Sequence, residues 1–167
     1  RDVYAVGEGG AIRHVSYGTA DTTALASGTT EQLNGVYGLS PSQIVAVGLN
    51  GTLRWYDGSA WTGIASGTTE HLYGVWGGAA NSWFAAGDRG IVLRGNGSNW
   101  TPMTTGTTQL LRGVWASSTA DAYAVGAAGT ILRYNGSAWS ALTTGTTAEL
   151  FGVWGERTRG VYAVRSN

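Results

Sequence analysis

Hydrophobic and polar residues alternate along this chain in short runs, and most runs end at a cluster of glycine, asparagine, aspartate or serine. The run from Thr52 to Tyr56 shows the pattern, because Leu53 and Trp55 alternate with polar or amphipathic neighbours. A period of two predicts half-buried β-strands, and no long stretch spaces its apolar residues as an amphipathic helix requires. The sequence therefore predicts an all-β protein.

The predicted strands recur with a fixed period. The glycine of the motif GTT stands at Gly28, Gly67, Gly106 and Gly145, so the repeat is 39 residues long. Each unit holds four predicted strands, marked by the motifs LxGVW, YAVG, GTILRY and SAW. Four short antiparallel strands in about 40 residues make one blade of a β-propeller, which buries its faces only against neighbouring blades. We therefore predict a single β-propeller domain over residues 1–167, with about four blades, alone or within a larger ring or array.

Composition excludes several kinds of site. The chain has no cysteine, which rules out disulfides, thiolate metal ligands and a cysteine nucleophile. Its formal net charge is zero with 12% charged residues, so we expect no nucleic-acid partner. No run approaches the roughly 18 apolar residues of a membrane span. His14 and His71 stand at non-corresponding places without a cluster of carboxylates, so we predict neither a metal nor a cofactor.

The order GTTxxLxGVW, YAVGxxGTILRY and DGSAW resembles the Asp-box, or bacterial neuraminidase repeat, superfamily of β-propellers. It is most similar to the repeats of photosystem II stability/assembly factor-like proteins. The turn departs from that pattern, because the motif that begins at Asp57 is short and Asn96 and Asn135 replace the aspartate in two copies. The resemblance implies a bacterial protein that is exported to the periplasm, the cell surface or the medium.

The resemblance also implies a strand order, in which LxGVW is the innermost strand of a blade. On that order we expect whole blades at residues 31–67, 70–106 and 109–145, and partial blades at residues 2–28 and 148–165. One strand is then present twice, because DVYAV near the beginning and GVYAV near the end are the same strand of the repeat. We expect further repeats or another chain to complete the terminal strands, since exposed sheet edges and faces favour association.

Arginines recur once per unit, at Arg13, Arg54, Arg94 and Arg133, and would suit a sialidase-like carboxylate site. We expect all four to occupy one repeat position, so that each stacks on aromatic residues of its own blade or pairs with the turn. A sialidase, as the resemblance implies, also needs a tyrosine–glutamate pair and an aspartate, and the sequence has no distinctive set of that kind. We therefore predict that these arginines are structural and that the protein is not an enzyme.

Positions that differ between copies are free to recognise a partner, whereas positions that repeat hold the blades together. Two variable turns, inside GxxG and just before LxGVW, are expected on the same face of the propeller. The candidate binding residues in these turns are Glu8, Glu31, Asn50, Glu70, His71, Asp88, Arg89 and Gln109.

Three functions remain open from the sequence. The resemblance favours a binding or scaffold propeller that mediates protein–protein interaction or assembly. A carbohydrate-binding propeller, with a glycan as partner, is the alternative that eight tryptophans and eight tyrosines suggest. It depends on solvent exposure of Trp61, Trp100 and Trp139, because glycan sites use exposed aromatic rings. A self-assembling structural or surface protein is the third, motivated by the duplicated terminal strand.

Overall fold

The computed structural model describes residues 2–16, 18, 21–79, 82–156 and 160–165. These residues form seventeen strands and four short 3₁₀ turns. The strands are β1 (Asp2–Val6), β2 (Ile12–Ser16), β3 (Thr22–Leu25), β4 (Leu33–Ser40), β5 (Gln43–Gly48), β6 (Leu53–Tyr56), β7 (Trp61–Gly63), β8 (Leu72–Ala79), β9 (Ser82–Gly87), β10 (Val92–Gly95), β11 (Trp100–Met103), β12 (Leu111–Ser118), β13 (Asp121–Gly126), β14 (Ile131–Tyr134), β15 (Trp139–Ala141), β16 (Leu150–Glu156) and β17 (Gly160–Arg165). The 3₁₀ turns are Glu8–Gly10, Leu49–Gly51, Asp88–Gly90 and Ala127–Gly129.

The strands form five antiparallel sheets in chain order. Sheet 1 has three strands (β1–β3), sheets 2, 3 and 4 have four each (β4–β7, β8–β11 and β12–β15), and sheet 5 has two (β16–β17). The strands of sheets 2, 3 and 4 lie within residues 31–67, 70–106 and 109–145. The prediction of an all-β fold with four-stranded antiparallel sheets is confirmed. No helix among the described residues has the length and hydropathy needed to span a membrane.

Consecutive sheets pack face to face, and their first strands approach closely: β4 packs on β8, β8 on β12 and β12 on β16. Glycines permit this approach. A Cβ atom on Gly74 of β8 would lie 2.8 Å from the carbonyl oxygen of Arg112 in β12. The hydrophobic core lies between the sheets, as where Val45 and Val47 of sheet 2 meet Trp83 and Leu93 of sheet 3. The sheets thus bury their apolar faces against each other, as blades do.

The two ends of the stack present apolar side chains to solvent. In sheet 5, Trp154, Tyr162 and Val164 are 55%, 59% and 61% exposed. Val125, which holds in sheet 4 the place of Val164, is fully buried by the next sheet. At the other end, Val3 of sheet 1 is 58% exposed. The described residues therefore form an open arc of sheets rather than a closed ring.

The turns between the third and fourth strands of sheets 2, 3 and 4 share one hydrogen-bond pattern. In sheet 2, the Oδ1 atom of Asp57 accepts hydrogen bonds from the backbone and hydroxyl of Ser59 and from the backbone of Ala60, at 2.8–2.9 Å. Asn96 and Asn135 accept the corresponding bonds with their amide oxygens. The backbone bonds to Ala60 and Ser59 hold the pKa of Asp57 at about 2, below its usual value of 3.8.

We expect the Asp57 turn alone to make stability depend on acid. A carboxyl whose pKa is lowered in the folded state stabilises the fold above its unfolded pKa, and this contribution is lost as pH falls through the folded pKa. The stability difference between the wild type and Asp57→Asn should therefore change between about pH 4 and pH 2. Urea unfolding at a series of pH values measures it. A difference that is constant over this range would contradict the expectation.

Candidate functional site

The four 3₁₀ turns hold their middle residue in the left-handed region of the backbone. Gly9 occupies this place in the first turn, whereas Asn50, Arg89 and Ala128 occupy it in the others with φ of 51–52°. A side chain at positive φ costs free energy, least for asparagine, so these turns carry local strain. Strained residues persist where surrounding contacts hold them, and the variable side chains project from these turns.

The structure brings three of the predicted binding residues together at the boundary between sheets 2 and 3. The side-chain amide of Asn50 donates to Oε2 of Glu31 at 3.0 Å. The backbone N–H of Asn50 donates to Nδ1 of His71 at 2.9 Å, and His71 immediately precedes sheet 3. These residues belong to the two kinds of variable turn, so the turns meet on one face. We call the eight predicted residues the turn surface.

The same kinds of turn also meet within sheet 3. Nε of Arg89 lies 3.7 Å from a carboxylate oxygen of Glu70, and the Arg89 side chain is exposed. The Tyr73 hydroxyl donates to Asp88 at 3.5 Å, and burial, with the Asp88 charge second, raises the pKa of Tyr73. Glu8 and Gln109 are exposed in the corresponding turns before sheets 2 and 4. The turn surface thus carries four carboxylates and one arginine.

A second series of residues lies beside the turn surface, at β-bulges. The first strands of sheets 2 to 5 each shift register between a leucine and a glycine two residues later, which leaves one residue unpaired. Such bulges turn a side chain away from its regular direction. The bulge residues are Asn34, Tyr73, Arg112 and Phe151.

Arg112 joins three sheets through its contacts. Its guanidinium lies over the ring of Tyr73 at 5.2 Å and over the ring of Phe151 at 5.7 Å. Its Nε donates to Glu149 at 2.8 Å, and the Phe151 ring is 47% exposed. An arginine between two aromatic rings presents planar apolar surface with a charged edge, which suits contact with a peptide.

Sequence analysis missed the bulge residues, although the signal was present. Within the repeated motif LxGV, the position x is variable, and it falls every 39 residues. Variation inside an otherwise constant strand is unexpected for a residue packed between sheets. It indicates a side chain that points away from the core, which the bulge explains.

The expectation that the four recurring arginines share one repeat position is wrong. Arg13 and Arg54 lie opposite Ala5 and Ala46 of the preceding strand, whereas the other two lie opposite aromatic residues. Arg94 pairs with Phe84 and Arg133 with Tyr123. The sequences GTLRWY and GTILRY place arginine one residue apart after the glycine, and a shift of one residue turns a side chain to the other face of the sheet.

The arginines make separate contacts and do not converge. Arg54 donates to the carbonyl oxygen of Trp61 at 3.4 Å, and burial lowers its pKa. Arg94 donates to the hydroxyl of Tyr134 at 3.5 Å. Arg133 donates to Asp121 at 3.1 Å and lies over the Tyr123 ring, while Arg13 is exposed on sheet 1.

The tryptophans on which the carbohydrate hypothesis depends are buried. Trp61, Trp100 and Trp139 are 7%, 6% and 8% exposed and lie in the cores between sheets. A sugar ring cannot stack on them, so this hypothesis loses its main support. Within the described ranges, no group of three or more histidine, aspartate and glutamate side chains is close enough to hold a metal ion.

Comparison with known proteins identifies the fold. No protein-family model matches the chain, and no curated protein matches it. It is similar to a solved structure of YCF48 bound to D1 peptide, with a TM-score of 0.74 and 14% identity, over 97% of this chain and 56% of that one. It is similar to YCF48 from Cyanidioschyzon merolae, with a TM-score of 0.74 and 15% identity, over 96% of this chain and 59% of that one.

These values show the fold alone, and the prediction of a β-propeller fold is confirmed at that level. The chain spans less than two thirds of the length of either solved structure.

Proposed function

We propose that the chain is a non-enzymatic binding module whose turn surface and bulge residues contact an extended segment of a partner protein. The observation that carries this proposal is the joining of variable turns across a sheet boundary, where Asn50 contacts both Glu31 and His71. Side chains that differ between copies are thus held together on one face by a backbone that repeats. A scaffold that is constant beneath a variable surface is the usual arrangement for recognition.

The geometry favours binding over catalysis. The carboxylates of Glu70 and Glu149 are each paired with an arginine, and the carboxylate of Asp88 accepts a hydrogen bond from a tyrosine. General acid–base chemistry needs a carboxyl or imidazole within reach of a bound reacting group, usually in a site from which water is excluded. The turn surface is instead an open array of paired groups spread over several sheets.

A peptide is the partner that this surface suits best. YCF48, which has the same fold, has been determined with D1 peptide. In this chain, the arginine–aromatic stack of Tyr73, Arg112 and Phe151 offers planar apolar contacts. The four carboxylates of the turn surface outnumber its one arginine, which favours a segment with basic side chains.

The test uses a library of random twelve-residue peptides displayed on phage and selected on the purified chain. We expect the selected peptides to be enriched in lysine and arginine. Replacing both Glu31 and Asp88 with their amides should weaken a selected peptide about tenfold, because each exposed ion pair contributes up to about 1 kcal/mol. Isothermal titration calorimetry at low and high salt measures the loss, which should shrink as salt rises.

Asp57→Asn is the matched control. It makes the same change from carboxylate to amide in a turn between the third and fourth strands of sheet 2, where asparagines already form the equivalent turns of sheets 3 and 4. We expect this variant to bind like the wild type. Equal weakening by both variants, or selected peptides without basic enrichment, would contradict the proposed surface.

A further inference from the structure

A tryptophan or tyrosine recurs near the middle of the first strand in sheets 2 to 5, and each member except the last is covered by the next sheet. The series is Tyr37, Trp76, Trp115 and Trp154. The indole N–H of Trp76 donates to the carbonyl oxygen of Ala116 in the following sheet at 2.9 Å. The ring of Trp115 lies so close to Gly155 of the following sheet that a Cβ there would be 2.8 Å away. Trp154 is 55% exposed.

A cleft of about 570 Å³ at the opposite end of the arc has the surroundings that such a ring meets inside the arc. Asp2 and Tyr4 of β1 form one side, and Val36, Gly38 and Ile44 line the other. Gly38 is the counterpart in sheet 2 of Gly155, and it is exposed. Tyr4 is the counterpart in sheet 1 of Tyr123, which lies opposite Trp115.

The cleft borders the place of the first strand in sheet 1, which has one strand fewer than the sheets that follow. The edge of β1 that faces away from β2 corresponds to the edges of β5, β9 and β13 that pair with the first strands of their sheets. Such an edge is a template for strand addition. The segment β16 is a first strand of the right kind, and its own sheet has only two strands.

We propose that β16 of one copy of this chain pairs with β1 of a second copy and inserts Trp154 into this cleft. In that pairing Trp154 lies opposite Tyr4 instead of Tyr162, because DVYAV and GVYAV present the same residues to it. The segment β17 is the surplus strand that β1 of the second copy replaces. The junction therefore continues the packing seen between sheets within one chain.

Two copies are the number that the dimensions favour. The chain matches 56% and 59% of the lengths of two solved propellers, so two arcs supply slightly more structure than one such molecule. The surplus agrees with the exchange of one duplicated strand at each junction. A head-to-tail contact that is used twice about a two-fold axis closes a ring and leaves no edge.

Gly7 gives the proposal a variant that acts on the junction and not on the isolated chain. In sheets 2, 3 and 4 a Cβ on the corresponding glycine would collide with the carbonyl oxygen of the residue before the first strand. A Cβ on Gly7 meets nothing within 4 Å, because sheet 1 lacks that strand. If β16 takes the place, the Cβ of Gly7→Ala would collide with Glu149 of the second copy.

The experiment is sedimentation velocity of the full chain from micromolar to millimolar concentration. We expect a reversible dimer of twice 17.3 kDa. Trp154→Ala should raise its dissociation constant about 30-fold or more, as loss of a buried aromatic anchor does. Gly7→Ala should raise it about tenfold or more, as overpacking does. Leu142→Ala, an exposed apolar residue of sheet 4's outer edge, is the control and should leave it unchanged. Circular dichroism establishes that each variant is folded.

A cysteine pair identifies the strands, because the chain has no other thiol. Asp2→Cys with Glu156→Cys should form disulfides between copies on oxidation, since these positions lie opposite each other when Trp154 faces Tyr4. Asp2→Cys with Asp57→Cys should not. A monomer at all concentrations, a disulfide that closes within one copy, or equal effects of the Trp154 and Leu142 variants would each overturn the proposal.

Discussion

Replacing Trp83 with alanine is expected to lower the free energy of unfolding by about 3–5 kcal/mol, the usual cost of removing a large buried aromatic side chain. Trp83 is fully buried between sheets 2 and 3. Its ring meets those of Trp55 and Tyr37 edge-on at 5.7 and 6.2 Å. Because total stabilities of about 5–15 kcal/mol are typical, the variant should unfold at much lower urea concentration.

Two further variants separate volume from chemistry at this site. The same position holds isoleucine in sheet 2, as Ile44, so Trp83→Ile should cost less than Trp83→Ala. Trp154→Ala removes the same side chain from an exposed position and, in the monomer, should change stability by no more than about 0.5 kcal/mol. Urea unfolding followed by circular dichroism, at concentrations where the chain is monomeric, measures all three. A cost at Trp83 no larger than at Trp154 would contradict burial between the sheets.

Gly126→Ala is expected to cost about 3 kcal/mol, at the upper end of the usual range for overpacking. The backbone of Gly126 is extended, with φ of −178°, so alanine is conformationally permitted there. The added Cβ would instead collide with the carbonyl oxygen of Leu110, which also accepts a hydrogen bond from the N–H of Ala127 at 2.9 Å. Alanine must therefore push apart the first two strands of sheet 4 at the turn surface.

Gly7→Ala is the matched control for this effect. Gly7 occupies the same place in sheet 1, and its added Cβ meets nothing within 4 Å. In the monomer we expect a change of no more than about 0.5 kcal/mol. Thermal and urea unfolding of both variants provide the comparison. Equal costs at the two glycines would mean that backbone freedom, and not the close approach of strands, explains why glycine is present.

The strands and sheets could be predicted because the repeat states them four times. Alternation of apolar residues and tight-turn motifs fixed the strand positions, and the period of 39 residues grouped them into sheets. The arginine error shows the limit of that method. GTLRWY and GTILRY look alike, yet Arg54 and Arg94 differ by one position in register and face opposite ways. Only strand pairing shows which face each one occupies.

The candidate site could be predicted in part. The variable turns were identified from differences between copies, and the contacts of Asn50 bring both kinds of turn together. The bulge residues were missed because a bulge depends on the partner strand and not on local sequence alone. Tyr73 and Arg112 therefore looked like ordinary strand residues, although their side chains stack on each other beside the turns.

The most direct test of the proposed binding function is a footprint of a selected basic peptide on the isotope-labelled chain, by amide chemical-shift mapping. The account predicts that the largest shifts fall at the turn surface and the bulge residues, with Asn50, His71, Arg89 and Arg112 among them. Shifts centred on the turns at Asp57, Asn96 and Asn135 would contradict it.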